Sequence, residues 1–538
     1  MDHTHDPRDP LAPFRWHPEP ELIGIRDAST SRAALERAGE QTWRASLDWL
    51  YGQAMVRAFG EATTYAELRR RYFGDTLQPG AAPTDPVPLA AILDEFTTRL
   101  APHTLNSFHP RALSYFTPPP LVASIAGEVL AQWTNQGIDV WHAGPVGAFV
   151  EEEVVRWLCD LVGYGEGAFG LCTSGGVMAN FIAMALVRDV HLRGLRALPR
   201  PPRGRDLEGA RVYTSDQTHF SIARAVDELG FPPETLVALP ADDRFRLHAA
   251  PVAEAIARDR AAGLTPLAIS AVAGSTNTGS VDRIEELAAL AEREGLWFHV
   301  DAAYGGAARL SERDAGRVPG LHLADSVTVD PHKWFFQAYD LGALLVRDGD
   351  HLRQTFDRSP EYYRGGEGPA VAVAGDEEAH SGLDDHAGQL NYYKLGFEGT
   401  RRFRALKLWA SWKHLGTSGF GRLVERNDDV AAYLAARCAE ADDLEILPAE
   451  PELSVVCFRH LPGGATAAAA MPPWALDAHQ DRLAAALEAS GDGWLSTTTL
   501  HGSAYLRAGI VNYLTTEADI DRLLDTLRSL ADDPPPAP

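Results

Sequence analysis

Asp325-Ser-Val-Thr-Val-Asp-Pro-His-Lys-Trp334 contains three consecutive β-branched residues, Val327, Thr328 and Val329, and they predict a buried strand. Pro331 cannot continue a hydrogen-bonded ladder, so the strand ends there. A single lysine, Lys333, stands just beyond it, between His332 and Trp334 and followed by Phe335 and Phe336. Most lysines are solvated surface charges. In this aromatic company Lys333 is expected to be desolvated, which lowers an amine from about 10.4 toward the range of a nucleophile. A lysine of that kind forms Schiff bases with aldehydes.

Working outward, Gly295-Leu-Trp-Phe-His-Val-Asp-Ala-Ala-Tyr-Gly-Gly306 predicts a second hydrophobic strand, ending on the carboxylate of Asp301. Taken alone, Asp301 also suits a helix N-cap. Paired with the later lysine, it matches what pyridoxal phosphate requires: an amine to hold the aldehyde and an acid to keep the ring nitrogen protonated. A helix and a connection are expected between the two strands.

His299-Val-Asp-Ala-Ala-Tyr-Gly-Gly306 and Asp330-Pro-His-Lys-Trp334 resemble the signature of the pyridoxal-phosphate-dependent amino-acid decarboxylases of group II, the aromatic-L-amino-acid/glutamate decarboxylase family. The likeness covers residues 105–420, and more loosely the whole chain. It implies fold type I: a PLP-binding large α/β domain with a mostly parallel sheet, an N-terminal helical segment and a small C-terminal α+β domain. The implied boundaries are 1–104, 105–400 and 401–538.

The resemblance also assigns roles. Lys333 would carry the cofactor as a Schiff base, Asp301 would face the ring nitrogen, and His219, in Ser215-Asp-Gln-Thr-His-Phe-Ser-Ile222, would stack over the ring. Thr173-Ser-Gly-Gly-Val-Met-Ala-Asn180 opens a helix. Glycines at a helix N-terminus expose N–H groups to an anion, although such a stretch is otherwise an ordinary turn. By position, Gly175, Gly176 and Val177 would hold the phosphate, with Thr276 near the cofactor and His332 orienting the lysine or the phosphate. Asp330 stands where some relatives have asparagine, and a carboxylate there is expected to turn away or to bind through its backbone. Tyr115, Phe116 and Thr117 resemble the stretch that lines the substrate pocket. Asp139, near Trp141, stands where aromatic-specific relatives tend to place an aromatic. Tyr362, with Tyr363 beside it, resembles the loop tyrosine that protonates the substrate carbon after carbon dioxide leaves. The expected activity is decarboxylation of an L-amino acid to the amine. The alternatives are an amine-oxidising aldehyde synthase, a transaminase or a carbon–carbon lyase on the same fold, or a non-catalytic cofactor-binding regulator.

Composition narrows the partners. The 538 residues carry 49 basic against 74 acidic side chains, a net charge of −25 that repels nucleic acid and anionic membranes. The four cysteines have no CxxC spacing, so neither disulfides nor zinc ligands are expected. No metal is expected elsewhere. The opening Met-Asp-His-Thr-His-Asp has no basic or apolar run, no signal peptide is expected, and the location implied is cytoplasmic. Apolar spacing predicts one or two helices over 31–59 and another over 89–100, with a Pro-rich linker between them. These helices are too few to form a domain alone. In the resembled family the segment packs on a partner subunit, which implies a homodimer with its active site at the interface. Short β-branched runs alternate with helical stretches over 105–400, the pattern of a sheet covered on both faces. A long loop is expected over 365–385, a helix over 401–415, a loop insertion at 463–473 and a final helix at 517–531.

Overall fold

The computed structural model describes residues 28–60, 64–358 and 389–532. The chain divides into two compact units, one of residues 1–109 with 489–491 and the other of the remainder. In the first unit, α1 (Ala28–Trp49) continues into a π-helical turn, and α2 (Tyr65–Phe73) is capped by the Thr64 side chain accepting from Glu67 N. The expected helix at 89–100 is α3 (Leu89–Glu95), prolonged by a π-helical turn to Leu100.

In the second unit α4 (Val122–Thr134) and α5 (Pro145–Val162) precede β1 (Phe169–Thr173) and α6 (Gly176–Leu186). Then follow β2 (Ala210–Ser215), α7 (Phe220–Glu228), β3 (Leu236–Leu239), α8 (Ala249–Ala261), β4 (Thr265–Val272), α9 (Ile284–Glu294), β5 (Trp297–Asp301), β6 (Ser326–Val329) and β7 (Gly342–Val346). These strands form one seven-stranded sheet in the order β1-β7-β6-β5-β4-β2-β3. The run from β6 to β3 is parallel throughout, and only β7 runs against its neighbours. Strands β5, β6 and β7 are buried at every residue, as a sheet with both faces covered requires. Parallel strands share one carboxyl edge, where ligands of such sheets bind.

Two expectations are corrected here. The crossover from β5 to β6 holds no α-helix: three short 3-10 turns, at Gly305–Leu310, Ala315–Arg317 and Leu321–Leu323, span it. Gly305 and Gly306 pack too closely for a longer helix to start, since a Cβ on Gly305 would lie 2.3 Å from the Ala273 carbonyl. The 463–473 stretch is not a loop throughout. Its alanines form the short α12 (Gly464–Ala469), which follows α10 (Asp350–Phe356) and α11 (Ala405–Ala439), and Pro473 opens α13 (Pro473–Ser490). The helix expected over 401–415 is the first part of α11, which kinks at Gly416, φ 65°, and runs on.

The C-terminal part builds a second, antiparallel sheet, order β10-β11-β9-β8, from β8 (Leu444–Ile446), β9 (Val455–His460), β10 (Ser496–Leu500) and β11 (Ser503–Gly509). The final helix, α14 (Glu517–Asp532), packs Ile520, Leu523 and Leu527 into the core of this part. The four cysteines are free and buried. No helix among the described residues is long and apolar enough to cross a membrane.

Candidate active site

The carboxyl ends of β5 and β6 are sewn together by main-chain bonds: Ala302 N donates to Thr328 O at 2.9 Å, and Asp330 N to Ala303 O at 3.0 Å. Asp301 and the turn that carries Lys333 are therefore held side by side. Both open into a cavity of about 370 Å³ that Gly175, Gly176, His219 and Thr276 also line.

Lys333 is not stripped of polar company. Its side chain is 24% exposed, and its Nζ pairs with Asp330 Oδ2 at 3.0 Å. The aromatic residues expected to enclose it turn into the core instead. Trp334 stacks on Tyr304 at 5.0 Å and donates to Asn427 Oδ1, Phe335 meets Trp412 and Phe420, and Phe336 meets Tyr513. Asp330 does not turn away as expected: its side chain lines the cavity with Oδ2 on Lys333, because the lysine amine draws it in, and its second oxygen, Oδ1, is buried with no hydrogen-bond partner among the described residues.

The glycine-rich turn lies against the same carboxylate. A Cβ on Gly176 would stand 2.8 Å from Asp330 Oδ2, and one on Gly175, whose φ is +153°, would stand 3.1 Å from His332 Cε1. Only glycine keeps this end of α6 open. The amides of Gly176 and Val177, in the first turn of an eleven-residue helix, have no intrahelical acceptor. His332 receives Leu341 N on Nδ1 at 3.0 Å, which leaves Nε2 to carry its proton, and burial lowers its pKa.

Asp301 is 6% exposed and accepts from Ala303 N at 3.1 Å and from Asn180 Nδ2 at 2.7 Å. His219 caps α7, its Nδ1 facing Ser221 Oγ at 2.9 Å. Burial lowers its pKa below 6.5, so the imidazole is neutral at pH 7.

Of the expected substrate residues, Phe116 lines the cavity, stacked on Tyr304 at 4.1 Å beneath the Arg507 guanidinium. Thr117 and Asp139 are not among the lining residues, nor is Tyr115, which lies 58% exposed against Trp494. Tyr362 and Tyr363 lie outside the described residues.

These features suit pyridoxal phosphate: an amine for the aldehyde, a buried carboxylate for the ring nitrogen, a flat neutral imidazole, and free amides with a side-chain-free cradle for the phosphate. Residues 73–461 match the family model described as the pyridoxal-dependent decarboxylase conserved domain. The chain belongs to the pyridoxal-dependent decarboxylase family. It is 33% identical over 426 residues to an aromatic-L-amino-acid decarboxylase of Bacillus atrophaeus, covering 79% of this chain and 82% of that one. It is 29% identical over 387 residues to a phenylacetaldehyde synthase of Petunia hybrida, covering 72% and 73%. Among solved structures it superposes on the glutamate decarboxylase domain of a diaminobutyrate-pyruvate transaminase and L-2,4-diaminobutyrate decarboxylase from Vibrio parahaemolyticus. There the TM-score is 0.79 at 26% identity, over 96% of this chain and 99% of that chain. The family member described here is therefore a PLP-dependent carboxy-lyase of fold type I, and pyridoxal 5'-phosphate is its cofactor.

One residue lining this decarboxylase site, Asn180, and one packed on its Phe116, Arg507, carry no expectation from the sequence. Asn180 was quoted only as the end of the glycine-rich turn, yet an asparagine inside an otherwise apolar helix has poor propensity and is itself a signal. Arg507 is 5% exposed, donates to Thr276 O at 2.7 Å and Ser114 O at 2.7 Å, and its other terminal nitrogen has no hydrogen-bond partner among the described residues. Nothing local marks it, because its partners lie hundreds of positions away.

Proposed function

We propose that this cavity removes the carboxylate of an L-amino acid, releasing carbon dioxide and the amine. The observation that supports it most is the placement of Lys333 and Asp301 on adjoining strand ends, opening into one cavity that His219 and the glycine cradle also line. The cofactor, when bound, supplies an electron-withdrawing ring that takes up the electron pair left by the departing carboxylate. Lys333 would hold the aldehyde. Asp301 would keep a proton on the ring nitrogen. His219 would lie flat on the ring and present its Nε2–H at the edge. Gly175, Gly176 and Val177 would hold the phosphate, with His332, Thr276 and Asp330 beside it, and Phe116 would face the substrate. Tyr362 would deliver the proton to the α-carbon.

In this reading the enzyme is a cytoplasmic homodimer. Residues 1–104 pack on the partner subunit, 105–400 hold the cofactor, and 401–538 form the small C-terminal domain. One relative is named an aldehyde synthase, so product identity separates the two outcomes.

The experiment is Lys333→Ala together with product analysis. The variant should lose the yellow colour, the borohydride-trapped cofactor adduct and turnover, by at least a thousandfold. Wild type, screened against the twenty amino acids plus ornithine, diaminobutyrate and dopa, should release equal amounts of amine and carbon dioxide. Retained turnover in the variant would overturn the assignment of Lys333; aldehyde and hydrogen peroxide in place of amine would overturn the reaction.

A further inference from the structure

We propose that Asn180 is the positioning residue that ties Asp301 to His219, its one amide orienting the carboxylate and fixing the histidine tautomer. Asn180 is 1% exposed and lies on α6, one turn after the cradle. An amide can make four hydrogen bonds, and this one makes all four. Its Nδ2 donates to Asp301 Oδ2 at 2.7 Å and to Ser221 Oγ at 2.8 Å. Its Oδ1 receives Thr328 Oγ1 at 2.6 Å and faces His299 Nε2 at 3.0 Å. The reverse amide orientation would set its oxygen against the Asp301 carboxylate, so the assignment follows from chemistry.

Directions then propagate. Ser326 Oγ receives Trp297 Nε1 at 3.0 Å and gives its own hydrogen to His299 Nδ1 at 2.9 Å. The His299 proton is therefore on Nε2, facing Asn180. On the other side, Ser221 N donates to His219 Nδ1 at 3.3 Å, which makes Nδ1 an acceptor, so Ser221 Oγ, which accepts from Asn180, turns its hydrogen to the same nitrogen at 2.9 Å. With the single Nδ1 lone pair shared by these two Ser221 donors, His219 carries its proton on Nε2. The charged groups acting on His219 are Asp301, Lys333, Asp330 and Arg224. The chain of donors is continuous from Trp297 to His219, and among the described residues Asn180 is the branch point reaching both Asp301 and His219.

The inference rests on the reading that Asp301 and His219 flank the cofactor. Two variants test it in the holoenzyme and in apo-protein titrated with pyridoxal phosphate. Asn180→Asp keeps the shape but sets an acid against Asp301; the cofactor Kd should rise at least tenfold. Ser221→Ala cuts only the His219 branch. It removes a donor that stabilises the neutral imidazole, so the acid limb of kcat/KM should move upward by about half a pH unit, with cofactor Kd within threefold of wild type. A loss of thermal stability with both the cofactor Kd of N180D and the pH profile of S221A unchanged would overturn the positioning role. If Lys333→Ala still traps cofactor, the underlying site reading fails instead, so the two failures are distinguishable.

Discussion

Asp330 sets a carboxylate against the glycine cradle, with Oδ2 on Lys333 and Oδ1 buried and unpartnered. A buried polar atom without a partner costs about 1–3 kcal/mol, and a carboxylate beside a phosphate adds repulsion. Asp330→Asn would offer an N–H where the orphan oxygen stands. It should tighten pyridoxal phosphate about tenfold in a titration of apo-protein; equal or weaker binding would mean that the carboxylate serves Lys333 more than it harms the phosphate. Lys333 and Asp301, expected from their strand ends, and His219, expected from the family resemblance, line one cavity. The surroundings of Lys333 were not legible in the sequence, because adjacency there does not say which way a side chain leaves a turn. Trp334, Phe335 and Phe336 follow the lysine in the chain and face the core in space.

The cradle is a property of an element, the first turn of α6, and not of any one side chain. Its function depends on the absence of Cβ atoms at Gly175 and Gly176, where ordinary contact distances leave no room. Gly176→Ala should lower cofactor affinity at least tenfold while shifting the melting temperature of the apo-protein by only a few degrees, since Gly176 already has a helical neighbourhood in which alanine is favoured. Calorimetry beside a cofactor titration separates the two. The strands that end at Asp301 and before Pro331, β5 and β6, were legible from their apolar and β-branched runs. Strand β3 and the β10–β11 hairpin were not, being brief and held by pairing: β10 and β11 depend on a His501-Gly502 turn with both φ positive. The crossover from β5 to β6 misled because Ala and Gly permit a helix, whereas close backbone approach forbids one.

For the whole molecule the decisive feature is a helix with two apolar faces. On α4, Ser124, Gly127 and Ala131 are buried, Gly127 so closely that a Cβ would lie 2.6 Å from Lys407 Cα of α11. The other face shows Val122, Val129, Leu130 and Trp133 to solvent, Trp133 at 64%. A helix apolar all round belongs in an interior, and exposed patches of this kind mark association surfaces. The partner that supplies the missing cover in the homodimer reading is a second copy, which must approach against a net charge of −25 on each chain. Association should therefore be driven by apolar burial and strengthened by salt, which screens the repulsion. Wild type should sediment at twice the 58.4 kDa chain mass, more completely at 0.5 M than at 0.05 M sodium chloride. The double variant Leu130→Asp, Trp133→Asp leaves the α11-facing side intact and should sediment as a single chain. If the cavity is completed only in the dimer, the same variant should bind pyridoxal phosphate at least tenfold more weakly. A wild type that stays monomeric at both salt concentrations would remove the second copy from the account and leave this face for a different partner.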